Sequence, residues 1–301
     1  MDGILNIDTP GGMTSHDVVA QVRRALKTKR VGHAGTLDPD ATGVLVIAVG
    51  IATRLLPHLP TEPKEYVARI AFGTATDSED ASGTVTREAD ASRLTEGVLR
   101  GILPRFTGEI EQIPPMVSAV HHEGRRLYEL AREGVTVDRE ARKVTVYTLR
   151  ASDFQEGERA EATLQVSCGG GTYIRTLCAD IGDALGLPAH MKALRRDAVG
   201  SFARADALPL QEMLLLGTDA IARDWLLPLE RALDLPTVAI SDDEAVRVSR
   251  GQSVDVLLPP ARTDAVALLH RERLLAVARY TDGKLLPYRV FTGPMADPQP
   301  E

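Results

Sequence analysis

The apolar run GVLVIAVG at residues 43–50 constrains the fold more than any other stretch of this chain. A short, continuous apolar run between two glycines is typical of a strand that is buried within a sheet. The run follows a polar, glycine-rich turn that carries His33, Asp38 and Asp40, with Asp38 directly before a proline. The sequence therefore predicts an acidic turn at the edge of a hydrophobic sheet. Such a turn is either a plain surface connection or the place of a nucleophile or acid.

The other periodic segments combine strands and helices without a strict β–α–β order. Patterns typical of strands occur at residues 4–10, 66–77, 143–154 and 159–168. Apolar residues at helical spacing occur at residues 14–26, 92–103, 127–133 and 173–186. Ser15 is the predicted N-cap of the first of these helices. This order predicts an α+β (mixed α/β) domain with a largely antiparallel or mixed central sheet flanked by helices.

The texture of the sequence changes near residues 226–236, and short strand-like pieces follow. They occupy residues 252–258, 265–270, 274–280 and 286–291, separated by turn residues. Several short strands with close turns predict a small β-barrel or sandwich of about 60 residues. The final segment, residues 293–301, is predicted to be disordered.

The composition is that of a globular protein, with 301 residues, 44% hydrophobic and 26% charged, and a net charge of −7. That charge argues against a nucleic-acid binder unless the basic residues are segregated on one face. Two cysteines are too few for a disulfide framework, and the absence of paired CxxC or HxxxH spacing argues against a metal site. Neither a signal peptide nor an apolar run of about 20 residues is visible, so we expect a soluble cytoplasmic protein.

Several sequence blocks, in order across residues 3–203, resemble the bacterial tRNA pseudouridine-55 synthases, the TruB family. The blocks are GILNIDTPGGMTSHDVV, GHAGTLDPDATGVL, KEYVARIAFGTATDSEDASG, IPPMVSAVHHEGRRLYELAREG, CGGGTYIRTLCADIG and ALRRDAVGSF. The resemblance implies the pseudouridine-synthase fold and an enzyme that isomerises uridine 55 in the T-loop of tRNA. It also implies that no cofactor or metal is required, because the base never leaves the pocket.

The resemblance implies a role for particular side chains. The catalytic aspartate is expected at Asp38, the base-stacking tyrosine at Tyr66, and the arginine paired with the catalytic carboxylate at Arg175. Tyr173 and Leu194 are expected in the base pocket. His33 is similar to the histidine that fills the space left in the RNA by the extruded base. Taken without the resemblance, each of these residues has an ordinary structural explanation, as a core, turn or surface group.

The chemistry accounts for these residue types. The target base must be flipped out of its stack, and stacking on an aromatic ring recovers roughly 1–3 kcal/mol per base. Asp38 must be ionised to attack, either at the anomeric carbon or at the uracil ring, and Arg175 is expected to favour its charged form. The glycines at residues 169–171 lack a following G-K-[ST], so they are interpreted as a flexible turn that delivers Tyr173 and Arg175.

The resemblance also implies a domain organisation and a partner. Residues 1–233 are expected to form the synthase domain, with a thumb-like insertion at about 113–143, and residues 236–295 a PUA-like RNA-binding domain. The expected partner is the T-arm of tRNA. The protein is expected to act as a monomer and to bind neither a guide RNA nor a membrane. A tRNA-folding chaperone, in which catalysis is secondary, is the alternative function.

Basic residues cluster in three places and predict a face that binds RNA despite the net negative charge. They are Arg23, Arg24, Lys27, Lys29 and Arg30, then Arg125, Arg126 and Arg132, then Lys192, Arg195 and Arg196. Acidic residues are expected elsewhere, as in residues 77–80. The chain departs from the family pattern at Thr9 and His121, where lysine is usual, so RNA affinity is expected to be weaker or more dependent on pH.

Overall fold

The computed structural model describes residues 1–118, 120–122, 124–135, 137–256 and 264–291. The predicted disordered tail at 293–301 lies outside these residues. So do the end of the strand predicted at 252–258 and residues 257–263 and 292–295 of the predicted PUA-like domain.

The strands are numbered β1 to β19 along the chain. They are Gly3–Thr9, Val31–Ala34, Thr42–Val49, Lys64–Phe72, Thr74–Thr76, Val85–Glu88, Gly108–Gln112, His121–His122, Arg125–Arg126, Arg142–Gln155, Glu161–Cys168, Ala189–Val199, Phe202–Ala203, Leu208–Pro209, Thr237–Ala239, Val254–Asp255, Val266–His270, Arg273–Thr281 and Lys284–Val290. The helices α1 to α7 are Ser15–Ala25, Glu96–Ile102, Leu127–Arg132, Ile174–Ala184, Leu210–Met213, Thr218–Asp224 and Asp242–Ser249. Short 3₁₀ segments cover Gly50–His58, Leu103–Phe106, Arg204–Asp206 and Leu229–Arg231.

One large sheet organises residues 3–209. Its strands lie in the order β14-β1-β3-β12-β4-β11-β10-β7, with β2 added to β3 and β13 added to β12. The β1–β14 and β3–β12 pairs are parallel, and the other pairs of this sheet are antiparallel. The predicted α+β class with a largely antiparallel, mixed sheet is therefore confirmed.

Strand β3 is the buried strand that the apolar run predicts. Its alternate residues feed two different hydrophobic cores: Val44, Val46 and Ala48 pack in one, and Leu45, Ile47 and Val49 in the other. Side chains of successive strand residues point to opposite faces, so a strand between two cores must be apolar at every position. The continuous apolar run is thus a direct consequence of burial on both faces.

Strand β12 lies beside β3 at the centre of the sheet, and its sequence, AHMKALRRDAV, does not predict a strand. Four of its eleven residues are Lys, Arg or Asp, which hides the apolar alternation. It passes so close to β3 that a Cβ on Gly43 would lie 2.1 Å from the carbonyl oxygen of Arg196, and Gly43 has φ +102°. Only glycine allows this approach.

Helix α1 forms where its pattern predicts, but its N-cap is Thr14 and not Ser15. The Thr14 hydroxyl accepts a hydrogen bond from the Asp17 amide, and the Asp17 carboxylate accepts one from the Thr14 amide. This reciprocal capping box satisfies two backbone donors at the helix start. The prediction of Ser15 as the cap is wrong by one residue, because Ser15 is buried and bonds elsewhere.

The C-terminal residues form a second, five-stranded sheet in the order β15-β17-β18-β19-β16, curled as a half-barrel of PUA-like type. Helix α7 packs Ala245 and Val248 into its core. The sheet also joins the larger domain, because Phe291 shares a hydrophobic cluster with Ile4, and Arg54 Nη1 donates to the Val290 carbonyl at 2.7 Å. The small C-terminal β module that the sequence predicts is therefore confirmed.

Candidate active site

The structure brings Asp38 and Arg175 together, although they are separated by 137 positions in the sequence. Arg175 lies in the first turn of α4, and Asp38 lies in the turn between β2 and β3. Arg175 Nε is 3.0 Å from Asp38 Oδ2, and Arg175 Nη2 donates to Oδ1 at 3.4 Å. The arginine side chain is 4% exposed and the aspartate 39%, so the carboxylate is open on one side while the guanidinium is enclosed. A two-point contact of this kind fixes the carboxylate in orientation as well as distance.

Arg175 is held from the other side by a loop that sequence reasoning assigned to a remote acidic surface. Its Nη1 lies 3.5 Å from Asp80 Oδ2 and 3.3 Å from the Ser78 carbonyl oxygen. Its Nη2 also donates to the Val117 carbonyl at 2.9 Å. The expectation that residues 77–80 lie away from the site is therefore wrong for Asp80, which is a second carboxylate on the same guanidinium. The DSED spacing carries no pattern that would have indicated this contact.

The Asp38 carboxyl has a raised pKa. Burial is the largest cause, the Arg175 charge opposes it, and the nearby Asp80 carboxylate reinforces it. The pKa of Asp80 is lowered instead, because hydrogen bonds from Ser82 and Ser78 and the Arg175 charge outweigh its burial. Arg175 therefore favours the charged form of Asp38, as expected, but it does not fully offset the loss of water.

Two clamps fix the backbone on either side of Asp38. The Ser15 hydroxyl accepts from the Leu37 amide at 2.9 Å and donates to the Leu37 carbonyl at 3.3 Å. The Pro39 carbonyl accepts from the amides of Gly12 and Met13 at 2.8 and 3.1 Å. The turn that leads into α1 thus holds both neighbours of the carboxylate, while α1 itself is anchored in a hydrophobic core.

A buried arginine supports the same turn from below. Arg196 on β12 is 1% exposed, and it donates to the carbonyls of Val44, Thr36 and Gly35 at 2.8, 3.1 and 3.2 Å. The expectation that Arg196 belongs to a basic surface cluster is therefore wrong. Lys192 and Arg195 are partly exposed but are ion-paired with Glu161 and Asp197. The basic side chains of β12 thus bind groups of the protein itself.

The Asp38–Arg175 pair forms one wall of a cleft of about 280 Å³, which also has Tyr66, Tyr173 and Leu194 in its lining. Sites for drug-sized ligands occupy roughly 300–1,000 Å³, so this cleft lies just below that range and is large enough for a nucleobase. Tyr66 comes from β4 and is packed against the core of the large sheet, as is Leu194 from β12. Burial raises the pKa of the Tyr66 phenol. Five of the six predicted site residues therefore meet in one cleft.

Tyr173 is placed by a residue that the sequence did not single out. The Tyr173 amide donates to Gln112 Oε1 at 3.0 Å, and its carbonyl accepts from Gln112 Nε2 at 3.2 Å. Gln112 is buried at the end of β7. This side chain ties the start of α4 to the edge of the large sheet, so the aromatic residue and Arg175 are presented from a fixed helix start.

His33 is the sixth predicted site residue, and it is not part of the lining of this cleft. It lies on β2, five residues before Asp38, with its ring 5.6 Å from that of His16 in an edge-to-face arrangement. Burial, His16 and Arg196 lower its pKa, so the neutral imidazole is favoured. Its Nδ1 is buried without a hydrogen-bond partner in the described part of the chain.

No group of three or more His, Cys, Asp or Glu side chains within the described ranges is arranged to hold a metal ion. Both cysteines are buried, and burial raises the pKa of the Cys168 thiol to about 11 and that of Cys178 further still. Neither is therefore an activated nucleophile. None of the helices in the described part of the chain is both long and apolar enough to cross a membrane.

Comparison with known proteins identifies the class of this fold and site. The family model for the N-terminal domain of TruB family pseudouridylate synthases matches residues 23–174, and that for the tRNA pseudouridylate synthase B C-terminal domain matches residues 175–234. The chain belongs to the TruB family. It is accordingly a pseudouridine synthase.

Two relatives and one solved structure illustrate the similarity. A tRNA pseudouridine synthase B from Symbiobacterium thermophilum is 50% identical over 252 residues, covering 83% of this chain and 82% of the relative. One from Dehalococcoides mccartyi is 40% identical over 297 residues, covering 98% of each. The crystal structure of a Cbf5-Nop10-Gar1 complex matches with a TM-score of 0.70 and 28% identity, covering 97% of this chain and 85% of that chain.

Proposed function

We propose that this protein isomerises a uridine in the T-loop of tRNA, at position 55, to pseudouridine, with Asp38 as the nucleophile. The observation that carries the proposal is the Asp38–Arg175 contact at the wall of a base-sized cleft. The relatives named tRNA pseudouridine synthase B match over most of this chain, which supports tRNA as the substrate.

The reaction needs one ionised carboxylate and a confined base. The N1–C1′ bond of the target uridine breaks, the uracil turns and a C5–C1′ bond forms. The proton at C5 then leaves and N1 takes up a proton, so that the product is an isomer of the substrate. Asp38 attacks either C1′ or the uracil ring, and in both routes it acts as the carboxylate that Arg175 orients. Tyr66 stacks on the extruded base, and Tyr173 and Leu194 enclose it. His33 fills the space that the base leaves in the RNA.

The domain assignment follows the same proposal. Residues 1–233 form the synthase domain, and residues 236–295 form a PUA-like module that contacts RNA. Residues 113–143 act as a thumb over the T-arm; this segment contains β8, β9, α3 and the start of β10. The protein works as a cytoplasmic monomer without guide RNA. The solved Cbf5 chain, by contrast, belongs to a Cbf5-Nop10-Gar1 complex.

The test is incubation with unmodified tRNA that carries tritium at C5 of uracil. Isomerisation at position 55 releases tritium, and mapping of the product locates the modified nucleotide. Asp38→Asn should abolish release while leaving tRNA binding within a few-fold of the unmodified protein. If the main role is instead to fold tRNA, Asp38→Asn will retain full function in tRNA refolding and in cells. Tritium release that persists in Asp38→Asn would refute the assignment of the nucleophile.

A further inference from the structure

Lys64 lines the same cleft as Asp38 and Tyr66 and has no role in the reaction as set out above. It begins β4, two residues before Tyr66, and its side chain is partly buried. Its ammonium makes no hydrogen bond or ion pair with any residue that the structure describes. A partly buried ammonium without a hydrogen-bond or ion-pair partner is unusual, because no direct contact offsets its loss of water.

The ammonium lies between two glycine-rich turns. Lys64 Cε is 3.9 Å from the position that a Cβ on Gly35 would take, and Nζ is 3.7 Å from the corresponding position on Gly170. Gly35 belongs to the turn that carries Asp38, and Gly170 belongs to the turn that precedes Tyr173. A Cβ on Gly170 would lie 2.5 Å from Glu62 Oε1, so the Glu62 carboxylate occupies that side. A Cβ on Gly35 would make only ordinary contacts, so the Gly35 side leaves room for another molecule's backbone to approach the charge.

The other charges near Lys64 are already engaged. Glu62 Oε1 accepts from the Gly170 amide at 2.7 Å, and it makes no ion pair with Lys64. Arg196 is enclosed and donates to three backbone carbonyls, and Asp38 is paired with Arg175. Burial lowers the pKa of the Lys64 ammonium, Glu62 opposes this effect, and Arg196 adds to it. Within the described part of the cleft, Lys64 is therefore the cation that an incoming anion can neutralise.

We propose that Lys64 binds a phosphodiester group of the RNA next to the flipped nucleotide, so that the cleft holds a phosphate subsite beside the base subsite. The inference rests on the proposed function, since it takes an RNA uridine as the ligand. The phosphates that flank the target are the permanent anions nearest to its base, and a lysine ammonium suits a phosphate as a point charge. Lys64 would position the RNA backbone, while Tyr66 positions the base.

The experiment compares Lys64→Gln with the unmodified protein on T-arm RNA hairpins. Three RNAs are used: one with natural linkages, and two with a neutral methylphosphonate at one or the other linkage flanking the target uridine. For the unmodified protein, we expect one of the two replacements to weaken binding about tenfold, or about 1.4 kcal/mol. Lys64→Gln should weaken binding to the natural RNA by the same factor. The affinity of Lys64→Gln should not fall further with that replacement. The other replacement should change its affinity by the same factor as it changes that of the unmodified protein.

A matched control removes the same charge elsewhere. Arg223→Gln neutralises an exposed cation on α6 that pairs with Asp224, and it should keep the full response to the methylphosphonate. Lys64→Arg should restore part of the affinity for the natural RNA. Equal melting temperatures of Lys64→Gln and the unmodified protein would show that the effect is not unfolding.

Two results would overturn the proposal. In the first, each methylphosphonate weakens binding by Lys64→Gln by the same factor as it weakens binding by the unmodified protein. In the other, Lys64→Gln binds all three RNAs normally but turns over slowly, which would place the lysine at the uracil. Tritium release by the unmodified protein is measured in parallel, because its absence would refute the proposed function and leave the binding comparison to decide the phosphate subsite on its own.

Discussion

The hydroxyl of Ser15 bonds both backbone groups of Leu37, the residue directly before Asp38. One short side chain thus satisfies a buried amide and a buried carbonyl 22 positions away in sequence. The neighbouring Thr14 performs the different task of capping α1. The two adjacent hydroxyls therefore separate the stability of the helix from the placement of the turn that carries Asp38.

This separation gives the first prediction. Ser15→Ala should lower the single-turnover rate of isomerisation by roughly tenfold or more, because displacement of a reacting group by about 1 Å can cost about 100-fold. RNA affinity should change little. Thr14→Ala should instead lower the free energy of unfolding by about 1 kcal/mol with a nearly normal rate. Equal effects of both variants on rate would argue against Ser15 as a positioning residue.

The raised pKa of Asp38 predicts how activity depends on pH. The reaction needs the carboxylate, so the rate should fall as the pH drops through a pKa above the usual value of an aspartate. Arg175→Gln removes the main influence that lowers this pKa. The acidic limb of the rate profile should then move to higher pH. Single-turnover rates between pH 4.5 and 9 measure this shift. An acidic limb at the same pH in both proteins would contradict it.

Two glycine substitutions are predicted to act with opposite sign. Gly43→Ala places a methyl group against the Arg196 carbonyl at a positive φ, so strain and overpacking together should cost about 2–6 kcal/mol. Gly97→Ala on α2 meets no atom within 4 Å and should raise stability by up to about 1 kcal/mol. Chemical denaturation of both variants checks the pair. An unchanged free energy of unfolding in Gly43→Ala would contradict the close approach of β3 and β12.

Asp180 on α4 predicts a pH-dependent penalty on stability. Burial, then Glu79 and Asp183, raise its pKa to about 6. Because the folded protein holds this proton more tightly than the unfolded chain, stability is favoured at low pH and lost as the pH rises through about 6. Asp180→Asn should therefore stabilise the protein by about 1–2 kcal/mol at pH 8, a value reduced for partial exposure, and have little effect at pH 4.

The control for this prediction is Asp183→Asn. It removes an exposed ion pair with Arg87 and should give no such gain at pH 8. Melting curves at the two pH values decide between them. A stabilisation by Asp180→Asn that is the same at pH 4 and pH 8 would contradict the raised pKa as its cause.

The histidine at position 121 supports a prediction about affinity. Its backbone lies in β8, paired with Arg126 of β9. His121→Lys adds a permanent positive charge in the proposed thumb, so tRNA binding at pH 8 should strengthen and depend more steeply on salt. Filter-binding titrations at two salt concentrations measure both effects. Unchanged affinity would refute the idea that this departure weakens the grip on RNA.

Patterns with a strong period or a strong boundary predicted the fold well. The apolar run at β3 indicated burial on both faces, and the helical spacing after Thr14 placed α1 to within a residue. Strand β12 was not predictable, because Lys192, Arg195, Arg196 and Asp197 break its alternation. Their partners lie on other strands, on β12 itself or, for Arg196, also in the turn before β3. Helix α7 was predictable in principle, since Ser241 and Glu244 form a capping box.

The site was predictable through resemblance and not through local pattern. Nothing in the spacing of Asp38 and Arg175 indicates that they meet, because their contact depends on how β3, β12 and α4 are arranged in the sheet. The same holds for Asp80, which lies in the loop between β5 and β6, and for Gln112, which ends β7. Ser15 carried a local signal, but the signal pointed to a helix cap, and only the fold shows that its hydroxyl serves the turn instead.

The two parallel pairs of the large sheet have a consequence for synthesis of the protein. Ile7 of β1 aligns with Leu208 of β14, and Thr42 of β3 aligns with Arg195 of β12. At roughly 5–20 residues per second, about 10–40 s of translation separate the partners of the first pair and about 8–30 s those of the second. During that interval the earliest strands have left the ribosome while their neighbours are not yet made. We therefore expect the yield of native protein to depend on translation speed and on chaperones that cover these strands.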